Sequence, residues 1–307
     1  MTPRLLCGMV GRAVLGGFAA FLLLSGYTAQ AVEPIYVGTE GDDEQQFASR
    51  RAAYENGNCP GVDRFDNGTA WRIEIELTIL CNALALSGAD YEIVFVRQPN
   101  YVRMLAEAVS GRIDVAGQTI WSSELETYRD DLLRTEPVFR RGDWVVGLFT
   151  MANRADVLSV SRRADFDRLV GVAPQNWVED WRVLNAIGLK QVVDGMNFQN
   201  INNMIESGRA DVTLMSFSQE PDLGHGFDDQ DHRLVPLQGL KVVLDASRHF
   251  AISRANENAA EIVAAIDKGL IRLRQDGSIK RMLSAAGFFD ARVEDWELVN
   301  PEVLRNN

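Results

Sequence analysis

Ser110-Gly111-Arg112-Ile113-Asp114-Val115 returns almost unchanged as Ser207-Gly208-Arg209-Ala210-Asp211-Val212. Each copy sits at the same kind of joint. Ahead of it runs a stretch with helical spacing, Tyr101 to Val109 and Phe198 to Glu206. Behind it comes an apolar run, Ile113 to Gly117 and Val212 to Phe217, that reads as a buried strand. A Gly at this place ends the helix by taking the left-handed conformation that a Cβ disfavours, and the Asp opens the strand. Two helix–Gly–strand units predict two similar α/β lobes, and two lobes enclose a cleft.

Working outward, Ile35 to Thr39 reads as a strand and residues 41–70 as a polar loop with a helical turn around Gln45 to Tyr54. Trp71 to Leu86 has helical spacing at Ile73, Leu77, Leu80 and Leu84, stopped by Ser87-Gly88, and the strand Tyr91 to Val96 follows. Residues 119–141 read as irregular and charged, then Trp144 to Thr150 as a strand. Val170 to Ala173 is a strand, Pro174-Gln175-Asn176 a turn, and Asn176 is placed to cap a helix over Trp177 to Ile187. After the strand Gln191 to Val193 and the second hexapeptide, residues 224–233 read as a polar loop. Lys241 to Leu244 and His249 to Ser253 bring the chain back as strands, and helices over Ala259 to Leu273 and Ser278 to Ala286 finish it at Gly287. Strands alternating with helices predict an α/β chain with largely parallel sheets.

Residues 1–31 read as an export signal: Arg4 and Arg12, an apolar run from Val14 to Leu24, and the small-residue cleavage site Ala29-Gln30-Ala31. The apolar run is short for a membrane span. Cleavage after Ala31 would release a protein of 276 residues into the periplasm and move the formal charge from −12 to −14. That acidic surface argues against nucleic acid and anionic membrane as partners. The length suits two lobes of ordinary size. Cys7 leaves with the leader, so Cys59 and Cys81 remain as a pair in an oxidising compartment, and a disulfide between them is expected.

The ordered set of pieces resembles the periplasmic solute-binding proteins of the amino-acid-type ABC importers, family 3, from Glu33 to about Phe289. Ile35-Tyr36-Val37-Gly38-Thr39-Glu40 is similar to the family's opening strand, which ends in an acid, and Trp71 to Leu77 to its first-helix entry. Leu105 to Val115 resembles its L-x5-G-x-x-D-V joint, Thr127-Tyr128-Arg129 its T-x-x-R one residue shorter, Leu169 to Val172 the opening of lobe 2, and Ile279 to Gly287 the terminal helix. The resemblance implies a two-lobed, type II (Venus flytrap) fold with two hinge crossings, near Arg141 and near Leu240. Lobe 1 would hold residues 33–142 and 241–300, and lobe 2 residues 143–240. Ligands of open α/β sheets sit beyond the carboxyl ends of the strands. That places Glu40, Gln118 to Ser123, Gln175 to Trp177 and Met215 to Gln219 at the cleft.

By this resemblance Arg129 would take a ligand carboxylate, which a guanidinium fork fits in shape and charge. As a residue it also reads as one surface Arg beside Arg134, Arg140 and Arg141. Glu40 would accept from a ligand ammonium. Departures from the pattern put Ser122 or Ser123 where a hydroxyl precedes the Arg, and Ser216 where the family has a second acid. Asn176 and Trp177 stand at a helix start, whose free N–H groups bind anions. Trp121 either closes on a planar ligand or belongs to the hinge core. Residues 225–232 hold His and Asp side chains, but their spacing matches no metal-binding loop, and no metal or cofactor is expected. Asn67-Gly68-Thr69 is a glycosylation sequon only in a secretory eukaryote. The function so implied is a monomeric, non-enzymatic binder of a small, amino-acid-like solute, read by an ABC-type membrane permease. The alternatives are a dehydratase on the same scaffold with Glu40 as proton donor, and a stand-alone sensory lobe.

Overall fold

The computed structural model describes residues 33–305 apart from 42–43, 55–58, 66–71 and 228. The leader with its cleavage site, Trp71 and the triplet at 67–69 therefore lie outside the described residues. The chain enters through β1 (Glu33–Glu40) and α1 (Glu44–Ala52), then runs through α2 (Arg72–Ser87), β2 (Tyr91–Gln98), α3 (Tyr101–Val109), β3 (Val115–Ala116), β4 (Ile120–Trp121), α4 (Ser122–Thr127) and β5 (Leu132–Phe139). It crosses to β6 (Val145–Met151), α5 (Ala155–Leu158), β7 (Val170–Ala173), α6 (Val178–Ala186), β8 (Gln191–Asp194), α7 (Phe198–Glu206), β9 (Thr213–Met215), β10 (His225–Phe227) and the long β11 (Asp229–Val243). It returns as β12 (Arg248–Ser253), α8 (Ala259–Gln275) and α9 (Ser278–Ala285), and ends with β13 (Glu297–Leu298) and α10 (Glu302–Arg305).

The repeated hexapeptide builds the same corner twice. Asn100 and Asn197 cap α3 and α7, each side-chain oxygen accepting from the backbone N–H three residues on at 2.9 Å. Gly111 and Gly208 end those helices at φ +74° and +69°. The carboxylates of Asp114 and Asp211 then accept from the backbone N–H of Tyr36 on β1 and Val170 on β7, both at 2.8 Å. Each Asp thereby registers the outgoing strand against the first strand of its own lobe. The sheets repeat the scheme. One has the order β2-β1-β3-β12, with β4 and β5 both paired to β12; in the other half β8 pairs with β7, which bridges through Gly171 to Val212, and β9 adjoins β6, which in turn adjoins β11.

These sheets are mixed rather than largely parallel. β1 runs parallel to β2 and β3, and β7 to β8, but β12 lies antiparallel to β3 and β6 antiparallel to β9. Each antiparallel strand stands next to a hinge crossing, so it enters its sheet from the opposite end. Residues 119–141, expected to be irregular, contain β4, α4 and β5, and residues 225–227 and 229–233, expected as loop, lie in β10 and β11. Pairing also places Lys241 to Val243 beside β6, and Glu297–Leu298 beside β11, within the second sheet. Both expected crossings are present, and the chain then passes between the halves a third time after α9. There Phe288 stacks on Phe139 and Trp144, with ring centroids 4.8 and 4.6 Å apart. The Asn300 side chain accepts from the Val243 N–H at 3.0 Å and donates to its carbonyl at 2.8 Å.

Helix α2 packs on α8 at backbone contact. A Cβ on Gly269 would lie 2.0 Å from the carbonyl oxygen of Ala83, so only Gly admits this approach. Cys59 and Cys81, 22 positions apart in sequence, are bonded, with Cα atoms 5.5 Å apart, pinning the chain at Cys59 onto α2. The Tyr54 hydroxyl reinforces the pin by donating to the carbonyl of Glu74 at 3.0 Å. Closing a loop of this size stabilises by about 3 kcal/mol in the chain-entropy model. Cys59→Ser with Cys81→Ser is expected to lower unfolding stability by that amount in urea, with no change in a wild type kept under reductant only if the bond were already absent.

Candidate functional site

Every residue of β12 is buried, and the strand opens on Arg248, only 5% exposed. Its Nε donates to Thr119 Oγ1 at 2.9 Å, and its Nη2 to the Thr119 carbonyl. The guanidinium carbon lies 4.4 Å from the ring centroid of Trp121 and 4.8 Å from that of Trp144. Trp121 ends β4 of the first sheet and Trp144 leads into β6 of the second, so the cation sits where the halves meet. Among the described residues no carboxylate forms an ion pair with it. Burial, with Arg72 nearby, pushes its pKa down to about 10, against the pull of Glu76, Tyr101 and Glu124. Cation–π contact offsets part of the desolvation cost, but a buried charge without a counter-ion remains expensive.

Glu76 supports this arrangement from below. It is fully buried on α2 and accepts from Arg72 Nη1 at 2.9 and 2.8 Å, from the Thr119 N–H at 3.2 Å and from the Thr119 hydroxyl at 2.6 Å. Its oxygens are thus occupied, and Thr119, fixed by them, presents both of its own oxygens to Arg248. Two further polar atoms at these strand ends are buried with no partner, Thr39 Oγ1 on β1 and Gln118 Nε2 after β3. Buried polar atoms are nearly always satisfied by protein or water, so both retain hydrogen-bonding capacity at these strand ends.

Acids line the opposite side. The Tyr101 hydroxyl donates to Glu124 Oε2 at 2.7 Å, and burial raises the pKa of both groups, against the lowering influence of Arg248. Across the gap, the first turn of α6 brings Glu179 and Asp180. Glu179, 1% exposed, accepts from Ser123 Oγ at 2.6 Å and from Arg182 Nη2 at 2.7 Å. Asp180 is half-buried by its surface, yet it is ringed by protein, and that enclosure raises its carboxyl to about 7, with Glu179 adding and Arg248 opposing. A buried guanidinium that interacts with protonatable acids from both halves can hold a solute that carries both signs of charge.

The residues expected from sequence scatter around this centre. Trp121 stacks on Arg248, the Ser122 N–H donates to the Ser247 carbonyl at 2.9 Å, and Ser123 reaches Glu179. Glu40 ends β1, half-buried and paired in register with Gln98. Asn176 and Trp177 are exposed at the start of α6, but the cap is Trp177, whose side chain makes no cap bond, not Asn176. The Ser216 carbonyl accepts from His225 Nε2 at 2.7 Å. Arg129 is a correction. Its side chain is 70% exposed and pairs with Glu126 at 3.0 Å, while its carbonyl accepts from Arg254, just past the far end of β12. A six-residue strand separates it from Arg248, about 17–20 Å of extended chain. Helix α4 ends at Thr127, and the turn that follows carries residue 129 away from the gap and into solvent. The strand expected from His249 starts one residue earlier, at Arg248, and the sequence signal for this residue is a cation heading an otherwise apolar run. Part of the His/Asp stretch at 225–232 lies outside the described side chains, and among the described residues no cluster of metal-ligating groups occurs.

No family model and no curated protein sequence matches the chain. Among solved structures, it is similar to the probable amino-acid ABC transporter extracellular-binding protein YtmK from Bacillus subtilis, at 16% identity and a TM-score of 0.52, over 84% of this chain and 100% of that one. It is likewise similar to the BvgS VFT2 domain of Bordetella pertussis, crystallised as a double mutant, at 17% identity and a TM-score of 0.51, over 82% of this chain and 92% of that one. At these identities the likeness is one of fold: a two-lobed α/β architecture of the type II periplasmic-binding kind, in agreement with the resemblance read from the sequence.

Proposed function

We propose that the protein is an exported solute-binding protein that closes its lobes on a small, carboxylate-bearing, amino-acid-like solute. The observation that carries this reading is Arg248, a buried guanidinium stacked on two Trp rings with a free edge and no counter-ion among the described residues. The solute's carboxylate supplies that counter-ion. Glu124 and Asp180, one from each half, take its ammonium group, which would draw both acids back towards ionisation. Because these groups come from different elements on either side of the gap, the solute binds the closed form better than the open one and shifts the hinge equilibrium. An ABC-type permease that recognises the closed form is the partner this role implies, with the leader at 1–31 directing export to the periplasm.

Native mass spectrometry of the purified mature chain, followed by calorimetry with the solute it identifies, tests the reading. A co-purifying small carboxylate that rebinds with one-to-one stoichiometry is expected. Failure of every carboxylate so identified to rebind would sink it. A second reading, a dehydratase, has one observation in its favour: Glu124 is a half-buried acid that partial desolvation holds towards its protonated form, against the hydrogen bond from Tyr101. Recovery of the solute unchanged after prolonged incubation separates binding from turnover.

A further inference from the structure

The two hinge crossings and the far rim of the cleft are joined by one chain of polar contacts. Arg141, on the first crossing, donates from Nε to Asp245 Oδ1 on the second. Asp245 also receives Arg182 of α6, Nη1 reaching Oδ2 at 3.3 Å and Nη2 the carbonyl at 3.2 Å. Arg182 donates from Nε and Nη2 to Glu179 Oε2, at 3.0 and 2.7 Å. Glu179 Oε1 then accepts from the hydroxyl of Ser123, on α4 of the other half, at 2.6 Å. Two cations alternate with two carboxylates, and the last link crosses the gap.

We propose that Arg141–Asp245–Arg182–Glu179–Ser123 is a closure latch that engages the two halves before any solute is present. Glu179 is 1% exposed in the closed arrangement. Opening hydrates it, so closing must strip that water and replace it with donors. Arg182 travels with Glu179 on α6 and supplies the donors to one oxygen in either state. Ser123 belongs to the other half and serves the second oxygen only on closure. The hydroxyl of Ser123 is therefore a condition for shutting, and Asp245 fixes Arg182 to the crossings so that Glu179 arrives in line with it. The inference rests on the two-lobed fold and not on the identity of the solute.

Spin labels at Val102→Cys and Gln175→Cys, exposed positions at the start of α3 and after β7, report the width of the gap by pulsed dipolar spectroscopy. The mature chain, its native disulfide kept, is first dialysed in denaturant and refolded to remove any co-purifying solute. The labelled protein is expected to show mainly the short distance with nothing added. Ser123→Ala should raise the ratio of long to short distances roughly tenfold or more, as loss of a hydrogen bond to a buried charge implies. Asp245→Asn should shift it the same way from the other end of the relay, and Ser123→Thr, which keeps the hydroxyl, should restore the short distance. A long distance in the solute-free parent, or a distribution that Ser123→Ala leaves unchanged, overturns the latch. Neither outcome touches the assignment of Arg248, because no solute enters the experiment.

Discussion

Arg248→Ala is expected to weaken solute binding roughly thirtyfold or more, since removing one partner of a buried charge pair costs about 2–5 kcal/mol. The same change should leave thermal unfolding close to that of the parent. In the solute-free protein the guanidinium has no counter-ion among the described residues, so its removal relieves a desolvation penalty while it loses the contacts to Trp121 and Trp144. Arg248→Lys keeps the charge but not the planar fork, and affinity between the two extremes is expected. Arg129→Ala supplies the contrast. Its exposed pair with Glu126 contributes little, and calorimetry should find affinity within about twofold of the parent. Equal losses for Arg129→Ala and Arg248→Ala would mean that the carboxylate is held elsewhere.

Glu76→Ala should cost about 3–5 kcal/mol of folding stability, the range for breaking a buried charge network from one side. The carboxylate is fully buried, and its loss frees Arg72 Nη1 and the Thr119 N–H together. It also leaves Arg72 and Arg248 as neighbouring cations with less acid between them. Urea unfolding followed by Trp fluorescence measures the cost. Glu76→Gln keeps acceptor capacity for Thr119 while removing the charge, and is expected to lose less. If Glu76→Ala melted like the parent, the acid beneath Arg248 would have no structural part in holding Thr119 and the guanidinium in place.

What the sequence revealed follows from how local each signal is. The paired corners were legible because everything they need lies within fifteen residues: an Asn cap, an amphipathic turn, a Gly at positive φ and an Asp that reaches the neighbouring strand. Only the Asn caps went unread. The disulfide was legible because two cysteines remained after the leader. The cleft was not legible in the same way. Arg248 depends on a strand that enters its sheet antiparallel, more than a hundred residues from the Thr119 it bonds. Arg129 looked right in linear order, but a helix that stops at Thr127 turned it outward. β5 and β11 were hidden by charge: β5 turns Arg134 and Glu136 outward, β11 opens on Asp229-Gln230-Asp231-His232-Arg233, and the strands that pair with them are distant in sequence.

The third passage of the chain has a practical consequence. β1 begins in the first sheet, while the closing residues are fastened to the second by β13, by the Asn300 clamp on Val243 and by Arg163, which donates to the Val299 carbonyl at 2.9 Å. The first and last described strands, β1 and β13, are therefore mounted on opposite jaws. Fluorescent domains fused to them would act as pointers on a caliper, converting each swing of the molecule into a change in energy transfer without a single internal modification.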